Sequence, residues 1–266
     1  MSVLIIIPAR YASSRYPGKP LVHLVGADGK GRSLIERSWR AAHSVFGVDR
    51  IVVATDDVRI RALAHNFGAE VVMTSSECAN GTERCAEAHD LLNENYEIIV
   101  NFQGDAPLTP HWFVEALIKR LRSVSEGVVA TPVLRCNGTM LEELRADRLA
   151  GRMGSTTVVF DRMNRAMYFS KEVIPYTDNR YSDRIKAPVF HHVGIYAYRA
   201  AVLEQYLSWP VGRLESNESL EQLRFIENGQ SVICVEVDSQ GRLFWELNNP
   251  EDKPKIEKML EKMGWE

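Results

Sequence analysis

The chain is predicted to fold as an α/β protein on a mostly parallel sheet with helices on both faces. Three observations point there. The run 3–8 (VLIIIP) is continuously apolar and rich in β-branched residues, the pattern of a parallel strand buried on both faces. Three more short apolar runs follow, at 51–55, 70–73 and 97–100, with helix-like segments between them. The composition, 45% hydrophobic and 25% charged over 266 residues, belongs to a chain that can bury a sizeable core.

After the first strand, Leu34, Ile35, Trp39, Ala42 and Val45 recur at helical spacing and predict a helix over 34–46. The strand at 51–55 ends in Thr55-Asp56-Asp57, which suits a cap for a helix over 59–67. The strand 70–73 and a helix over 83–92 follow. The fourth strand, 97–100, runs into Asn101-Phe102-Gln103-Gly104-Asp105. Crossovers in such sheets are right-handed, and ligands sit beyond the carboxyl ends of the strands. In the second half, 127–133, 156–160, 189–198 and 232–237 read as strands, with 189–198 interrupted by a His-His pair. The stretches 220–226 and 252–263 read as helices, and 178–186 as a polar loop. With no repeat or composition break, the expectation is one domain over 1–266. Its core covers about 1–135 and 215–266, and an inserted lobe covers about 140–214.

Charge and cysteines exclude several function classes. The 32 basic and 35 acidic residues give a net charge of −3, too balanced for a bulk field that holds nucleic acid. Cys78, Cys85, Cys136 and Cys234 lack metal-ligand spacing and are too few for a disulfide framework. The apolar run near the N-terminus is shorter than a signal core or a membrane span. A cytoplasmic, reduced protein is expected.

Residues just past each strand are the place to look for chemistry. After the first strand, the stretch 8–20 (PARYASSRYPGKP) brings Arg10, Arg15 and Lys19 together with small residues and a Pro-Gly turn. Such a loop suits an oligophosphate, because small residues let backbone N–H groups approach and the cations neutralise charge. A solvated basic surface is the plainer alternative. Its spacing matches neither a Walker loop nor a dinucleotide fingerprint. Asp105, beside Gly104 and shortly before Pro107, suits either a hard-cation ligand or a turn. Gly81-Thr82 opens a helix and offers either backbone donors to an anion or a simple cap. Successive strand residues face opposite ways, so His191 and His192 cannot easily share a metal; one of them faces a substrate or both are structural. Glu215, Glu218, Glu221 and Gln222 line one helical face or turn, either as a solvated surface or as acceptors for sugar hydroxyls.

Seven motifs occur in order: IIPARYASSRYPGKPL (6–21), VATD (53–56), GTER (81–84), NFQGDAP (101–107), YFSKEVIP (168–175), HVGIYAYR (192–199) and LEQLR (220–224). Together they closely resemble the 3-deoxy-manno-octulosonate (Kdo) cytidylyltransferases over nearly the whole chain. The resemblance implies a Rossmann-like, nucleotide-diphospho-sugar transferase-like fold with a smaller sugar-binding and dimerisation lobe. It implies that the anomeric hydroxyl of a 3-deoxy-2-keto sugar acid attacks the α-phosphate of CTP, releasing pyrophosphate, in lipopolysaccharide or capsule synthesis. Ala9, Arg10, Arg15, Lys19, Gly81, Thr82 and Gln103 would hold CTP, and Arg10, Lys19 and Asp105 would be catalytic. Gln103, His192, Tyr196, Glu215, Glu218 and Gln222 would face the sugar acid. Asp105 and Asn248 would hold Mg²⁺. The partners are CTP and the sugar acid, with neither nucleic acid nor membrane, in a homodimer. Positioning and charge neutralisation carry such chemistry, so no covalent intermediate is required.

The chain departs from the family pattern at several places. Ala106 stands where the family has Glu, and Asn248 where it has a metal-ligating Asp. Lys171, Thr157 and His191 replace a family Arg, Lys and Arg, and the loop 26–32 is longer. Glu246 lies two residues from Asn248 and so on the same strand face, which makes it the alternative second ligand. These changes leave open a modified octulosonate or a nonulosonate as substrate, and a non-catalytic nucleotide-binding homologue.

Overall fold

The computed structural model describes residues 1–13, 15–124, 128–152, 155–178, 181, 186–241 and 245–266. The chain divides into two compact units, residues 1–115 with 239–266 and residues 116–238. The expected lobe limits, 140 and 214, both fall inside the second unit.

The first unit begins with β1 (Val3–Ala9), buried along its whole length. A single 3₁₀ turn (Lys19–Leu21) and a two-stranded hairpin of β2 (His23–Val25) and β3 (Gly31–Ser33) lead into α1 (Leu34–His43). The Ser33 hydroxyl starts α1 by accepting from the Glu36 N–H. Next come β4 (Arg50–Thr55), α2 (Val58–Asn66), β5 (Glu70–Met73), α3 (Gly81–Leu92) and β6 (Ile98–Asn101). The four main strands lie parallel in the order β5-β4-β1-β6. Asp57 caps α2 from the end of β4, as its position suggested, with Oδ1 accepting from the N–H groups of Arg59 and Ile60. The division between units falls within α4 (His111–Arg122).

In the second unit the elements are β7 (Val128–Arg135), α5 (Gly138–Leu149), β8 (Thr156–Phe160), β9 (Ala166–Ser170), β10 (Phe190–His192) and β11 (Tyr196–Arg199). They are followed by α6 (Ala200–Tyr206), α7 (Arg213–Glu218), α8 (Leu223–Glu227) and β12 (Ser231–Glu236). The strand order is β11-β7-β10-β8-β9, antiparallel throughout, with β12 added parallel to β7. The expected strand 189–198 is therefore two strands. Between them, the Thr131 hydroxyl lies within hydrogen-bond reach of the carbonyls of Val193 and Ile195. The chain returns to the first unit and closes with α9 (Asp252–Met263), the predicted span. Leu247, Ile256 and Leu260 bury there against Leu24, Leu34 and Leu108.

All four cysteines are buried and free, and burial pushes Cys78 and Cys234 up to about 12. Among the described residues no helix is long and apolar enough to cross a membrane.

Candidate active site

In the first unit, β1 and β6 are parallel neighbours, so Ala9 and the segment 101–105 emerge at one edge. Gly104 makes their approach possible: a Cβ there would lie 2.7 Å from the Pro8 carbonyl oxygen. The Ser38 hydroxyl holds the turn by donating to the Gly104 carbonyl at 3.0 Å. Asp105 is thereby presented to Lys19, whose Nζ lies 2.6 Å from Oδ2. Both side chains keep partial contact with solvent, at 15% and 25% exposure, so a ligand can reach the pair. Arg10 is exposed and anchored by Nη1 donating to the Ala79 carbonyl at 3.2 Å. Arg15 is also exposed.

A second strand of chain completes this corner. The Leu247 N–H donates to the Asp105 carbonyl at 3.0 Å and sets residues 246–248 beside the acid. Leu247 is buried, and its neighbours Glu246 and Asn248 share the other side, where Asn248 Nδ2 donates to Glu246 Oε2 at 3.3 Å. Asp252 braces the turn: it accepts from Trp245 Nε1 and from the N–H groups of Asn248 and Asn249. Burial, together with the negative charge of Asp105, pushes the Glu246 carboxyl up to about 7. Asp105 and Glu246 thus meet in a corner where Lys19 and Arg15 are the nearby cations, with the Asn248 amide beside them. Among the described residues, no group of three or more His, Cys, Asp or Glu side chains could form a metal cage. The donor set is a carboxylate pair with an amide, which suits a hard cation that also takes phosphate oxygens.

At the start of α3, Asn80 Oδ1 accepts from the Glu83 N–H at 2.8 Å, and Glu83 Oε2 accepts from the Ala79 N–H at 2.7 Å. A Cβ at Gly81 would lie 3.3 Å from the side-chain nitrogens of Asn101 and Gln103, so the helix start packs directly on the Gln103 amide. Thr82 and Ala9 are both buried.

The second unit brings its sequence-predicted residues into one hydrogen-bonded set. His192 Nε2 lies 2.9 Å from the Thr131 hydroxyl. Since that hydroxyl has one proton and sits 2.8 Å from the Ile195 carbonyl, His192 must donate from Nε2 and keep Nδ1 as acceptor. Burial, with His191 alongside, pushes His192 down to about 3, so the ring is neutral; it packs between Phe169 and Tyr196. The Tyr196 hydroxyl donates to Gln222 Oε1 at 3.0 Å. Gln222 Nε2 is buried and meets no acceptor among the described residues. Glu218 accepts from the Tyr168 hydroxyl, the Ser170 hydroxyl and the Lys171 N–H at 2.7–3.0 Å. Burial opposes its ionisation, but these three donors outweigh it and hold the carboxyl below its ordinary value. Glu215 is turned onto Arg224, with both contacts at 2.7 Å and both side chains under a tenth exposed. Its oxygens join α7 to α8.

A family model described as cytidylyltransferase matches residues 4–233. The 3-deoxy-manno-octulosonate cytidylyltransferase of Maricaulis maris is 44% identical over 264 residues, covering 99% of both chains. The chain belongs to the 3-deoxy-manno-octulosonate cytidylyltransferase family. The Chlamydia pneumoniae relative of the same name is 39% identical, covering 96% of this chain and 92% of that protein. A solved structure of a CMP:2-keto-3-deoxy-manno-octonic acid synthetase complexed with CTP superposes with a TM-score of 0.83 at 32% identity, over 99% of this chain and all of the other. Membership makes the chain a nucleotidyltransferase and accords with the α/β architecture.

Within this cytidylyltransferase, the structure gives one of the departures, Thr157, a local use. The Thr157 hydroxyl donates to the Glu172 carbonyl and accepts from the Ile174 N–H, pinning the segment after β9. Lys171 contributes its backbone N–H to Glu218, a contact that any residue but proline would make. Ala106 is buried, so a longer acid there would need space that neighbouring groups now fill. Thr131 and Asp252 escaped the sequence reading. Asp252 had a visible signal as an acid at a helix start, but Thr131 lies within an apolar strand and gave none.

Proposed function

We propose that this chain transfers CMP from CTP to the anomeric C2 hydroxyl of 3-deoxy-manno-octulosonate. The hydroxyl oxygen forms the new bond to the α-phosphorus, the bond to the bridging β-oxygen breaks, pyrophosphate leaves, and the hydroxyl proton is released. The observation that carries this reading is the pairing of Lys19, on the loop that follows β1, with Asp105, just past β6, with Arg10 and Arg15 on the same loop as Lys19. Lys19, Arg10 and Arg15 are the cations for the triphosphate, and Gln103 and Gly81 border the nucleoside. In the second unit, Gln222 Nε2 is a donor for the sugar acid, while His192 Nδ1 and Glu218 are acceptors. Glu215 acts through Arg224.

The residues of the acid corner fit a divalent cation: Asp105, Glu246 and the Asn248 amide oxygen would hold Mg²⁺. Bound there, the ion would neutralise charge on the phosphates. Lys19 would then exchange Asp105 for phosphate oxygens, since Asp105 would have a new counter-ion. The family resemblance also supports a homodimer and a cytoplasmic place in lipopolysaccharide or capsule synthesis.

Pyrophosphate release tests the reading, using CTP, UTP, ATP and GTP with a panel of 3-deoxy-2-keto acids. The expected result is release with CTP and 3-deoxy-manno-octulosonate. Faster release with an amino-modified octulosonate or a nonulosonate would move the substrate assignment; no release with any acid would defeat it.

A further inference from the structure

The loop that carries Arg10 and Lys19 is held from outside by a residue other than those assigned to the phosphates or the sugar. Gly18 closes the loop on Tyr11: its N–H donates to the Tyr11 carbonyl at 2.9 Å. Gly18 has φ 70° and lies so close to the tyrosine ring that a Cβ there would sit 2.9 Å from Cε2. The ring is therefore packed on the turn that delivers Lys19 to Asp105. Arg59, in the first turn of α2, stacks on the same ring with Cζ 3.4 Å from its centroid. Asp57 fixes the plane of that guanidinium, accepting from Nη2 at 2.6 Å and from Nε at 3.1 Å. Contacts thus run from the end of β4 through Asp57, Arg59 and Tyr11 to Gly18, Lys19 and Asp105.

Arg59 is 55% exposed, so this stack is not part of the core and its loss should leave the fold intact. Three cations share one loop, and their mutual repulsion opposes gathering them around one site. Holding such a loop ready lowers the ordering cost paid on binding. Arginine suits the task, because its flat guanidinium stacks on an aromatic face and still hydrogen-bonds at its edge.

We propose that Arg59 is a positioning residue for the CTP loop, stacking on Tyr11 under the hold of Asp57 to keep Arg10 and Lys19 where they meet the triphosphate. The inference rests on the assignment of this loop to CTP. Calorimetric CTP binding without sugar acid, steady-state kinetics and thermal melting on five variants test it. Arg59→Ala should weaken CTP binding and raise the KM for CTP roughly two- to fivefold, the strength of an exposed cation–π contact. The KM for the sugar acid and the Tm should not move. Arg59→Lys, which keeps the charge but neither the flat stack nor the two-pronged hold on Asp57, should recover only a small part of the loss, and Tyr11→Phe, which keeps the ring face, should behave like the parent. Tyr11→Leu should match Arg59→Ala, and the double variant should be no worse than either single one. Unchanged CTP affinity in Arg59→Ala, or additive losses in the double variant, would overturn the proposal while leaving the loop assignment standing. A parent protein that binds no CTP would overturn the loop assignment, and the proposal with it.

Discussion

The two units handle their polar side chains in opposite ways. In the first, charges gather in a corner where they are only partly satisfied: Lys19 meets Asp105, Glu246 is crowded by that same acid, and Arg10 is held by one carbonyl. In the second, most polar groups answer one another, Gln222 Nε2 excepted: Glu215 meets Arg224, Glu218 takes three donors, Tyr196 meets Gln222 Oε1 and His192 meets Thr131. The contrast follows from the ligands proposed for each. A triphosphate with a divalent ion brings several full charges, and a corner that receives it needs groups able to change partners. A polyhydroxy acid brings mainly directional hydrogen bonds, and it is best met by acceptors and donors that are already fixed in place.

The largest expected effect would break the first region. Asp105→Asn should lower kcat by roughly a thousandfold through lost cation binding and phosphate neutralisation, with the Tm nearly unchanged. A variant that turns over like the parent with the same Mg²⁺ requirement would remove Asp105 from the chemistry.

The second region should break in a different currency, stability. Arg224→Met strands the Glu215 carboxylate in a buried site and should cost about 3–5 kcal/mol, read from urea denaturation. Arg224→Met with Glu215→Leu should recover much of that loss. If the single change is as mild as the double one, the pair does not hold α7 to α8.

Lys19→Ala and Arg10→Ala should each raise the KM for CTP and lower kcat, by roughly ten- to a hundredfold in kcat/KM, since each would remove one of the charged contacts proposed for the phosphates. Their KM for the sugar acid should stay near the parent value. Loss of sugar affinity alone would reverse the assignment of ligands to units.

Glu246 gives a pH signature. Its carboxyl is raised from 4.5 to about 7 by burial and by Asp105, so the folded protein holds this proton more tightly than the unfolded chain. The stability that comes from the bound proton is complete below about pH 4.5 and is lost as pH rises through about 7. Without divalent ions, the Tm should fall by a few degrees between pH 5 and 8, and Glu246→Gln should flatten that slope. Added Mg²⁺ should raise the parent Tm at pH 8 more than that of the variant. An identical slope in both proteins would show that neither burial nor Asp105 raises the Glu246 carboxyl.

The smallest effect should come from Asn248→Asp. With Glu246 already supplying a carboxylate beside Asp105, another acid should lower the Mg²⁺ concentration for half-maximal activity only a few-fold. A drop of a hundredfold or more would mean that Glu246 contributes little.

The two regions also differed in how well the sequence announced them. The strands β1, β4, β5 and β6 were legible because each is short, apolar and bounded by turn residues, and their ends then marked Arg10, Lys19 and Asp105. The helix over 252–263 was readable to the residue from its charged, amphipathic pattern. In the second unit, β10 has three residues and α7 six, too few to establish a period. The helix α5 hid for another reason: its start is announced only by Asn137, whose Oδ1 accepts from the Met140 N–H. Spacing placed Glu215 and Glu218 together, but it could not show that one turns to Arg224 and the other to Ser170 and Tyr168. That depends on partners far along the chain. Glu246 was visible only through its two-residue offset from Asn248, and its nearness to Asp105 depends on the Leu247 contact.

That contact also has a consequence in time. Asp105 and Leu247 are joined by one backbone hydrogen bond, yet the whole second unit is made between them. On a ribosome, the loop with Arg10 and Lys19 and the turn with Asp105 can assemble early, from strands that pair with near neighbours. The corner formed by Glu246 and Asn248 cannot exist until 245–252 has been synthesised and Asp252 has drawn that turn against α9. A nascent chain would therefore carry a cationic loop with only half of its acidic counterpart, and would become competent to hold a divalent ion only as one of the last acts of folding.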